Sequence, residues 1–246
     1  MSLNESAEEL ISLLGRALES IKQPAAISFS GGLDSSVVAA IAMKRMKLTG
    51  YSVGIAGSYD LVNAEKSANA LGLELKKIEL SEAEVLGRVP TVKKLTGLED
   101  RLNVSIAIPL YDSCSAAAGD GFGTILCGQG ADELFAGYAR YEKMGKKELE
   151  LALEKDFLAL ENGGWKRDLS IAKAAGIALV SPFMDTRVSD FARSLPVELK
   201  YDGKERKLVL RTAARLLGLD GAISGQKKKA MQYGSGVAKV LEKSRL

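Results

Sequence analysis

Hydrophobic positions in the first half of the chain predict a regular succession of strands and helices. Short apolar runs, typical of buried strands, occupy residues 25–29, 51–56, 73–80 and 124–127. Segments with apolar residues at helical spacing separate them, at residues 35–46, 62–71 and 105–118. An earlier helix is predicted to begin at a capping box, Ser6-Ala7-Glu8-Glu9, and to end before Pro24. This alternation predicts right-handed crossovers and a doubly wound, mostly parallel α/β sheet.

The pattern changes from Tyr138 onward, where helical spacing dominates. The predicted helices there cover residues 147–160, 187–194 and 207–217, and no Pro/Ser-rich linker precedes them. We therefore expect a single domain over residues 1–246. Its nucleotide-binding sheet core would span about 24–137, and a helical lobe at about 138–246 would complete the active site.

Composition narrows the class of protein. Of 246 residues, 46% are hydrophobic and 26% are charged, as in ordinary globular proteins. The net charge of +3 suits an anionic substrate but is too small to favour nucleic acid. The N-terminus is polar, and no apolar run approaches the roughly 20 residues of a membrane helix. With two cysteines and no disulfide framework, we expect a cytoplasmic protein without a membrane partner.

The absence of histidine excludes several mechanisms. The chain contains none, so a histidine base, a Ser-His-Asp triad and a histidine-ligated zinc are all ruled out. Acid–base chemistry must then come from carboxylates, lysines, tyrosines or the substrate.

A Gly-rich turn, Ser30-Gly31-Gly32-Leu33-Asp34-Ser35-Ser36, connects the first predicted strand to the next helix. Glycines allow backbone N–H groups to approach an oxyanion, and the helix N-terminus adds further donors. A carboxylate beside phosphate would be repulsive, so Asp34 indicates a bridging divalent cation, with magnesium favoured. A Walker-type lysine is missing from the turn. The turn is therefore unlike the phosphate cradle of NTPases that cleave between the β- and γ-phosphates.

These residues match the SGGxDS fingerprint, and the chain thus resembles the ATP pyrophosphatase (PP-loop) family. The resemblance implies an adenine nucleotide alpha-hydrolase type of sheet and cleavage of ATP between the α- and β-phosphates. It also implies that Ser30, Gly31, Gly32 and Ser35 hold pyrophosphate.

A second signature, Cys127 to Tyr138 (CGQGADELFAGY), is similar to the SGEGADELFGGY motif of the asparagine synthetases and their β-lactam synthetase relatives. Further similar segments follow in family order: Ser52–Ile55, Ser181–Asp185, Lys207–Arg211 and Lys227–Gly236. The resemblance covers residues from about 25 to about 240.

The resemblance implies a role for each matching position. Asp34 and Asp132 would bind magnesium, and backbone groups near Val53, Cys127 and Gly128 would contact adenine and ribose. Glu133 and Asp185 would form the amino-acid pocket. The catalytic residues would be Lys229, Glu133 and Gln129, with Lys228 as a rival for the catalytic lysine.

The sequence departs from the family at several places. Gln129 stands where the glutamine-dependent enzymes usually carry a glutamate, and an amide is a poor proton acceptor. The chain begins Met1-Ser2-Leu3, without the cysteine that a glutaminase domain needs, so ammonia would come from solution or from a separate glutaminase subunit. Cys127 replaces a serine and Ala136 a glycine, two changes expected to be compatible with the same backbone.

The leading hypothesis is an ATP- and Mg2+-dependent amide ligase. It would adenylate a carboxylate, with aspartate favoured, and ammonia or another amine would then form the amide. Two alternatives stay open: a β-lactam-synthetase-like ligase with another carboxylate or an internal amine, and a non-catalytic ATP-binding subunit. A tRNA-modifying enzyme is disfavoured by the mild charge. The expected partner is a small amino-acid substrate, and homo-oligomerisation is left open.

Overall fold

Five parallel strands form the central sheet of the computed structural model, in the order β3-β2-β1-β4-β5. The structure describes residues 1–219, 221–224 and 234–244. The strands are β1 (Ala25–Ser28), β2 (Leu48–Ile55), β3 (Glu74–Leu80), β4 (Thr124–Leu126) and β5 (Ala178–Val180). Every strand pair is parallel, and β1 lies between β2 and β4. The predicted doubly wound sheet is confirmed.

Helices connect the strands and cover the sheet on both sides. Those up to β4 are α1 (Leu3–Ala17), α2 (Leu33–Met43), α3 (Tyr59–Leu71), α4 (Glu82–Thr96) and α5 (Arg101–Gly119). After β4 come α6 (Ala131–Leu134), α7 (Lys146–Ala159), α8 (Trp165–Ala174), α9 (Thr186–Ser194), α10 (Leu208–Leu216), α11 (Gly221–Ser224) and α12 (Val237–Lys243). Short helical turns lie at Ala139–Lys143, Leu160–Gly164, Pro182–Met184 and Val197–Leu199.

The start of α1 corrects the sequence-based prediction. The capping box is formed by Ser2 and Glu5, not by Ser6-Ala7-Glu8-Glu9: the Ser2 N–H donates to the Glu5 carboxylate at 2.7 Å, and the Glu5 N–H donates to Ser2 Oγ at 3.3 Å. Ser6 lies inside the helix, where its hydroxyl donates to the Ser2 carbonyl at 2.9 Å. Both sites have the same Ser-x-x-Glu spacing, and only the earlier one forms the cap.

Strand β5 was not predicted from the sequence. It is three residues long, too short to show an alternating pattern, and it pairs with β4. It comes from the region assigned to the helical lobe, so that region also contributes to the sheet. The proposed division near residue 137 and the single-domain organisation stay predictions.

Two hydrophobic layers enclose the sheet. Leu10, Leu14 and Val38 belong to the layer formed with α1, α2 and α10. Tyr51 and Ile108 belong to the opposite layer, which α4, α5 and α12 cover. Since β1 and β4 are parallel neighbours, their carboxyl ends meet at one edge of the sheet, and the two Gly-rich turns begin there.

Candidate active site

The turn after β1 is shaped by a glycine and by helix α3. Gly31 has φ +69°, and a Cβ atom there would lie 2.5 Å from the Asn63 carbonyl oxygen. The Asn63 amide donates to the Ser30 carbonyl at 3.1 Å, and the Ser67 hydroxyl donates to the Gly31 carbonyl at 2.8 Å. These bonds hold the carbonyl groups toward α3. The first N–H groups of α2 have no partner within the helix, so this helix N-terminus offers donors to an anion.

Two serine hydroxyls flank the same turn. Ser30 Oγ lies 3.5 Å from Ser35 Oγ and accepts from the Gly32 N–H at 3.4 Å. Ser35 Oγ also donates to the Gly32 carbonyl at 3.2 Å. The predicted phosphate-binding residues Ser30, Gly31, Gly32 and Ser35 therefore form one contiguous local structure.

The turn after β4 packs directly against the first one. A Cβ atom at Gly128 would lie 2.9 Å from the Asp34 Cβ and 3.1 Å from the Ser35 nitrogen. Only glycine lets the two turns come this close. Gly130 then adopts φ +97° and leads into α6, whose first turn carries Asp132 and Glu133. The Ser181 hydroxyl donates to the Gln129 carbonyl at 2.6 Å, and this hydrogen bond stabilises the turn.

Asp34 and Asp132 converge on the ammonium group of Lys207. Lys207 Nζ lies 2.5 Å and 2.7 Å from the two carboxylate oxygens of Asp34, and 2.7 Å from Oδ1 of Asp132. The Lys207 side chain is 4% exposed, and the two carboxylates are 14% and 13% exposed. One cation thus bridges acids from two strand ends 98 residues apart in sequence. Lys207 was predicted only as the first residue of a helix, and no function was expected for its side chain.

Gly137 makes room for this cluster. A Cβ atom at that position would lie 1.8 Å from Asp132 Oδ1 and 2.4 Å from the Lys207 Cε. The preceding residue, Ala136, has φ +58°. An L-residue in this region is strained, and the expected compatibility of alanine with the backbone of the family glycine stays a prediction.

The pair Asp34 and Asp132 fits a magnesium ion that accompanies a nucleotide. Magnesium is commonly bound by one or two carboxylates, with phosphate oxygens and waters completing an octahedron. The two carboxylates already share one cation in this structure. Among the described residues, no group of three or more acidic or cysteine side chains could hold a metal. Two carboxylates suit a metal whose remaining ligands come from phosphates and waters.

These residues open into a cavity of about 490 Å³. We call its portion formed by the two turns the nucleotide half; Ser30, Asp34, Ser35, Gly128 and Asp132 lie there. We call the opposite portion the distal half; it is lined by Gln129, Glu133, Tyr138, Arg140, Asp156 and Asp168. The volume of the whole cavity lies within the usual range of small-molecule sites.

The acids of the distal half are engaged by neighbours. The Tyr138 hydroxyl donates to Glu133 Oε1, and burial together with the Glu133 charge raises the pKa of Tyr138 well above its usual range. Arg140 donates to Asp156 at 2.6 Å and stacks 4.4 Å from the centre of the Tyr138 ring. The structure places both Tyr138 and Arg140 on the cavity wall.

Asp168 is a buried acid that sequence reasoning missed. It is 4% exposed and accepts from Arg167 Nε at 2.8 Å, while Arg167 also donates to Asn103 at 2.6 Å. Burial raises the pKa of Asp168 to about 6 despite the opposing effect of Arg167. An Arg-Asp pair in a helix is a common surface pattern, so no sequence signal marks it as buried.

The remaining predicted residues lie in different places. Cys127, Gly128 and Gln129 line the cavity. The Val53 side chain is buried in the core, and contact of its backbone with adenine stays a prediction. Lys228 and Lys229 lie outside the described residues, so the catalytic lysine also stays a prediction.

Asp185 is not among the residues that line the cavity. Its carboxylate caps α9 by accepting from the Arg187 N–H at 2.9 Å, and it pairs with the Arg187 guanidinium at 2.8 Å. Instead, the preceding Phe183 and Met184 pack against Gly130. This segment supports the turn, and the expected pocket role of Asp185 is not met by its position here.

Both cysteines are buried and free. Burial raises the pKa of the Cys127 thiol to about 12, so it is protonated at neutral pH and a poor nucleophile. None of the helices in the described part of the chain is long and apolar enough to cross a membrane.

Comparison with known proteins supports the resemblance. The model of the asparagine synthase family matches residues 9–169 and 165–245. A protein of Methanocaldococcus jannaschii, whose name assigns it as a glutamine-hydrolysing asparagine synthetase, is 34% identical over 87% of this chain and 46% of its own length. Asparagine synthetase B of Escherichia coli K12 is 28% identical over 87% of this chain and 42% of its own length. The chain thus spans less than half the length of these relatives.

Among solved structures, an NH3-dependent NAD synthetase from Campylobacter jejuni covers 94% of this chain and 99% of its own, at 15% identity and a TM-score of 0.41. That likeness is too low to carry a conclusion. The family model, by contrast, spans both signature turns and nearly the whole chain, and by this match the chain belongs to the asparagine synthase family.

Proposed function

We propose that the protein is an ATP-dependent amide ligase that activates a carboxylate, with aspartate favoured, as its acyl-adenylate. Ammonia or another amine then forms the amide, and the other products are AMP and pyrophosphate. The observation that carries this proposal is the convergence of the Asp34 and Asp132 carboxylates on the Lys207 ammonium, beside the Ser30–Ser35 turn. The family membership supports it.

In the nucleotide half, the turn and α2 bind the phosphates of ATP. Backbone N–H groups and the hydroxyls of Ser30 and Ser35 donate to phosphate oxygens. Asp34 and Asp132 would hold magnesium, which would offset the charge on the phosphates. Lys207 gives up its place between the two acids and stays close enough to bind a neighbouring anion.

The distal half accommodates the carboxylate substrate. Its acids, Glu133, Asp156 and Asp168, suit the ammonium group of an amino acid, and Arg140 provides a cation for a carboxylate. An acyl-adenylate is hydrolysed by water, so the site that forms it must limit the access of water. The burial of Glu133 and Asp168 supports the distal half as that site.

Proton transfer from the amine needs an acceptor other than Gln129. A neutral amide cannot perform this step. Asp168 lines the same cavity, and its pKa of about 6 lies close to neutral, as suits a group that takes up and releases protons. We assign the proton-accepting role to Asp168.

The test is a product analysis. The protein is incubated with ATP, magnesium, aspartate and ammonium, nucleotides and phosphates are followed by 31P NMR, and amino acids by chromatography. We expect AMP, pyrophosphate and asparagine in equal amounts. Pyrophosphate without asparagine, or without any need for added ammonium, would favour the related ligase with another acceptor or an internal amine. ADP as the product, or no turnover with any tested carboxylate, would contradict the proposal.

A further inference from the structure

A second cavity, of about 390 Å³, is bordered by Glu133 and Leu134 of α6. We call it the rear cavity. Helix α7 provides one wall through Leu153 and Phe157, and Leu195 and Val197 provide the opposite wall. Because Glu133 lines both cavities, an occupant of the rear cavity would contact the residue that binds the Tyr138 hydroxyl.

The rear cavity contains a buried lysine without a partner. Lys200 is 5% exposed, and in the part of the chain that the structure describes its ammonium makes no hydrogen bond or ion pair. Burial lowers the pKa of Lys200 to about 8, and the charges of Glu150 and Glu154 only partly oppose this shift. Lys200 therefore places a mostly buried cation on the cavity wall, where an anion would form a favourable pair with it.

The neighbouring charges do not supply this anion. Arg193 takes both oxygens of Glu154, at 2.9 Å and 2.5 Å, so that carboxylate is already paired. Glu133 is held by Tyr138. Lys200 contrasts with Lys207, whose ammonium is bonded to two carboxylates.

Glu150 is the complementary feature of the same cavity. It lies on α7 three residues before Leu153 and seven before Phe157, so these side chains share one face of the helix. Within the described residues, its carboxylate forms no ion pair or hydrogen bond. Three carboxylates and two cations line the cavity, which disfavours a ligand that carries only negative charge.

We propose that the rear cavity binds a free amino acid with an apolar side chain. Its carboxylate pairs with Lys200, its ammonium group pairs with Glu150, and its side chain packs between Leu153 and Phe157. Such a zwitterion offers an anion to the mostly buried Lys200 and a cation to the exposed Glu150, and it adds no net charge. The proposal is independent of the ligase activity, since it concerns binding outside the candidate active site.

The experiment is isothermal titration calorimetry of the full chain, without nucleotide, against L-leucine. Two matched analogues are 4-methylpentanoate, which lacks the amine, and 3-methylbutylamine, which lacks the carboxylate. We expect saturable leucine binding, with each analogue at least about tenfold weaker because it loses one charged contact.

Variants locate the binding. Lys200→Met should weaken leucine at least about tenfold, and Glu150→Gln by about fivefold, whereas Lys147→Met, on an exposed part of α7, should leave it unchanged. Absence of saturable binding for leucine, valine, methionine and phenylalanine up to about 20 mM would overturn the proposal.

Two further outcomes would also overturn it. Equal affinity for leucine and 4-methylpentanoate would indicate a simple anion site. Unchanged or tighter leucine binding by Glu150→Gln would show that Glu150 pairs with Lys200 itself. If Lys200→Met does not fold, the analogue series and Glu150→Gln still decide.

Discussion

The two halves of the main cavity differ in how their charges are compensated. In the nucleotide half, Asp34 and Asp132 share the ammonium of Lys207 at 2.5–2.7 Å. In the distal half, burial outweighs pairing, and the pKa of Asp168 is raised to about 6 although Arg167 lies 2.7 Å away. The nucleotide half thus holds fixed negative charge that demands a cation. The distal half holds an acid that can change protonation near neutral pH, and this difference suits phosphate binding in one half and proton transfer in the other.

The largest expected effect comes from the fixed charge. Asp34→Asn removes one carboxylate of the pair with little change in shape, and we expect pyrophosphate release to fall about a thousandfold or more because the cation of the nucleotide loses a ligand. The matched control is Asp190→Asn, the same change on an aspartate whose side chain is 75% exposed, and it should keep wild-type activity. Near-normal turnover by Asp34→Asn would show that the nucleotide half does not work through this charge.

Lys207→Met tests, by a stability measurement, whether the Asp34 and Asp132 carboxylates need a cation between them. Removal of the ammonium leaves two mostly buried carboxylates facing each other, and the free energy of unfolding should fall by about 3 kcal/mol. Millimolar magnesium should restore much of this loss in the variant and change the wild type little, because Lys207 already fills the place. Urea denaturation with and without magnesium measures both effects. Equal responses of the two proteins to magnesium would contradict the assignment.

The distal half should instead respond to pH. Asp168 in the folded protein keeps its proton up to about pH 6, whereas in the unfolded chain it loses it near 3.8. The folded state therefore binds more protons between these values, and the free energy of unfolding should fall as pH rises through this window. Relative to Asp168→Asn, which cannot ionise, the wild type should lose on the order of 2–3 kcal/mol between pH 4 and pH 7. A stability difference that is constant with pH would refute the raised pKa.

Gly137→Ala tests the packing around the shared cation. The new Cβ would overlap Asp132 Oδ1 and Lys207 Cε, so both side chains must shift, at a cost of about 2 kcal/mol in the free energy of unfolding. At Gly145 no atom lies within 4 Å of an added Cβ and φ is −71°, so Gly145→Ala is the matched control and should change stability by less than about 1 kcal/mol. Similar thermal midpoints for the two variants would mean that the cluster tolerates displacement.

The two halves also differ in how far the sequence revealed them. Ser30 to Ser35 is a contiguous motif between a strand and a helix, so its geometry follows from local order along the chain. Asp34 and Asp132 were assigned to one metal from the family resemblance, and they meet in the structure because parallel neighbouring strands end at one edge of the sheet. Lys207 was missed because its partners lie far away in sequence, and its backbone φ of +60° has no signal in the residue type.

The distal half was harder to predict for the same reason. Arg167 and Asp168 form an ordinary helical pattern, and only tertiary packing buries them. Asp185 was expected in the pocket, but its own helix uses the carboxylate as a cap. Strand β5 was missed because three residues cannot show an alternating pattern. Contiguous motifs could thus be predicted from the sequence, whereas contacts that depend on the packing of the later helices could not.

The central claim is that Asp34 and Asp132 together hold the divalent cation of bound ATP. Electron paramagnetic resonance of manganese, titrated with ATP into the protein, reports the ternary complex directly. We predict that the wild type and Asp190→Asn bind manganese-ATP alike, and that Asp34→Asn and Asp132→Asn each bind it at least about tenfold more weakly. Wild-type binding of manganese-ATP by both single variants would contradict the claim.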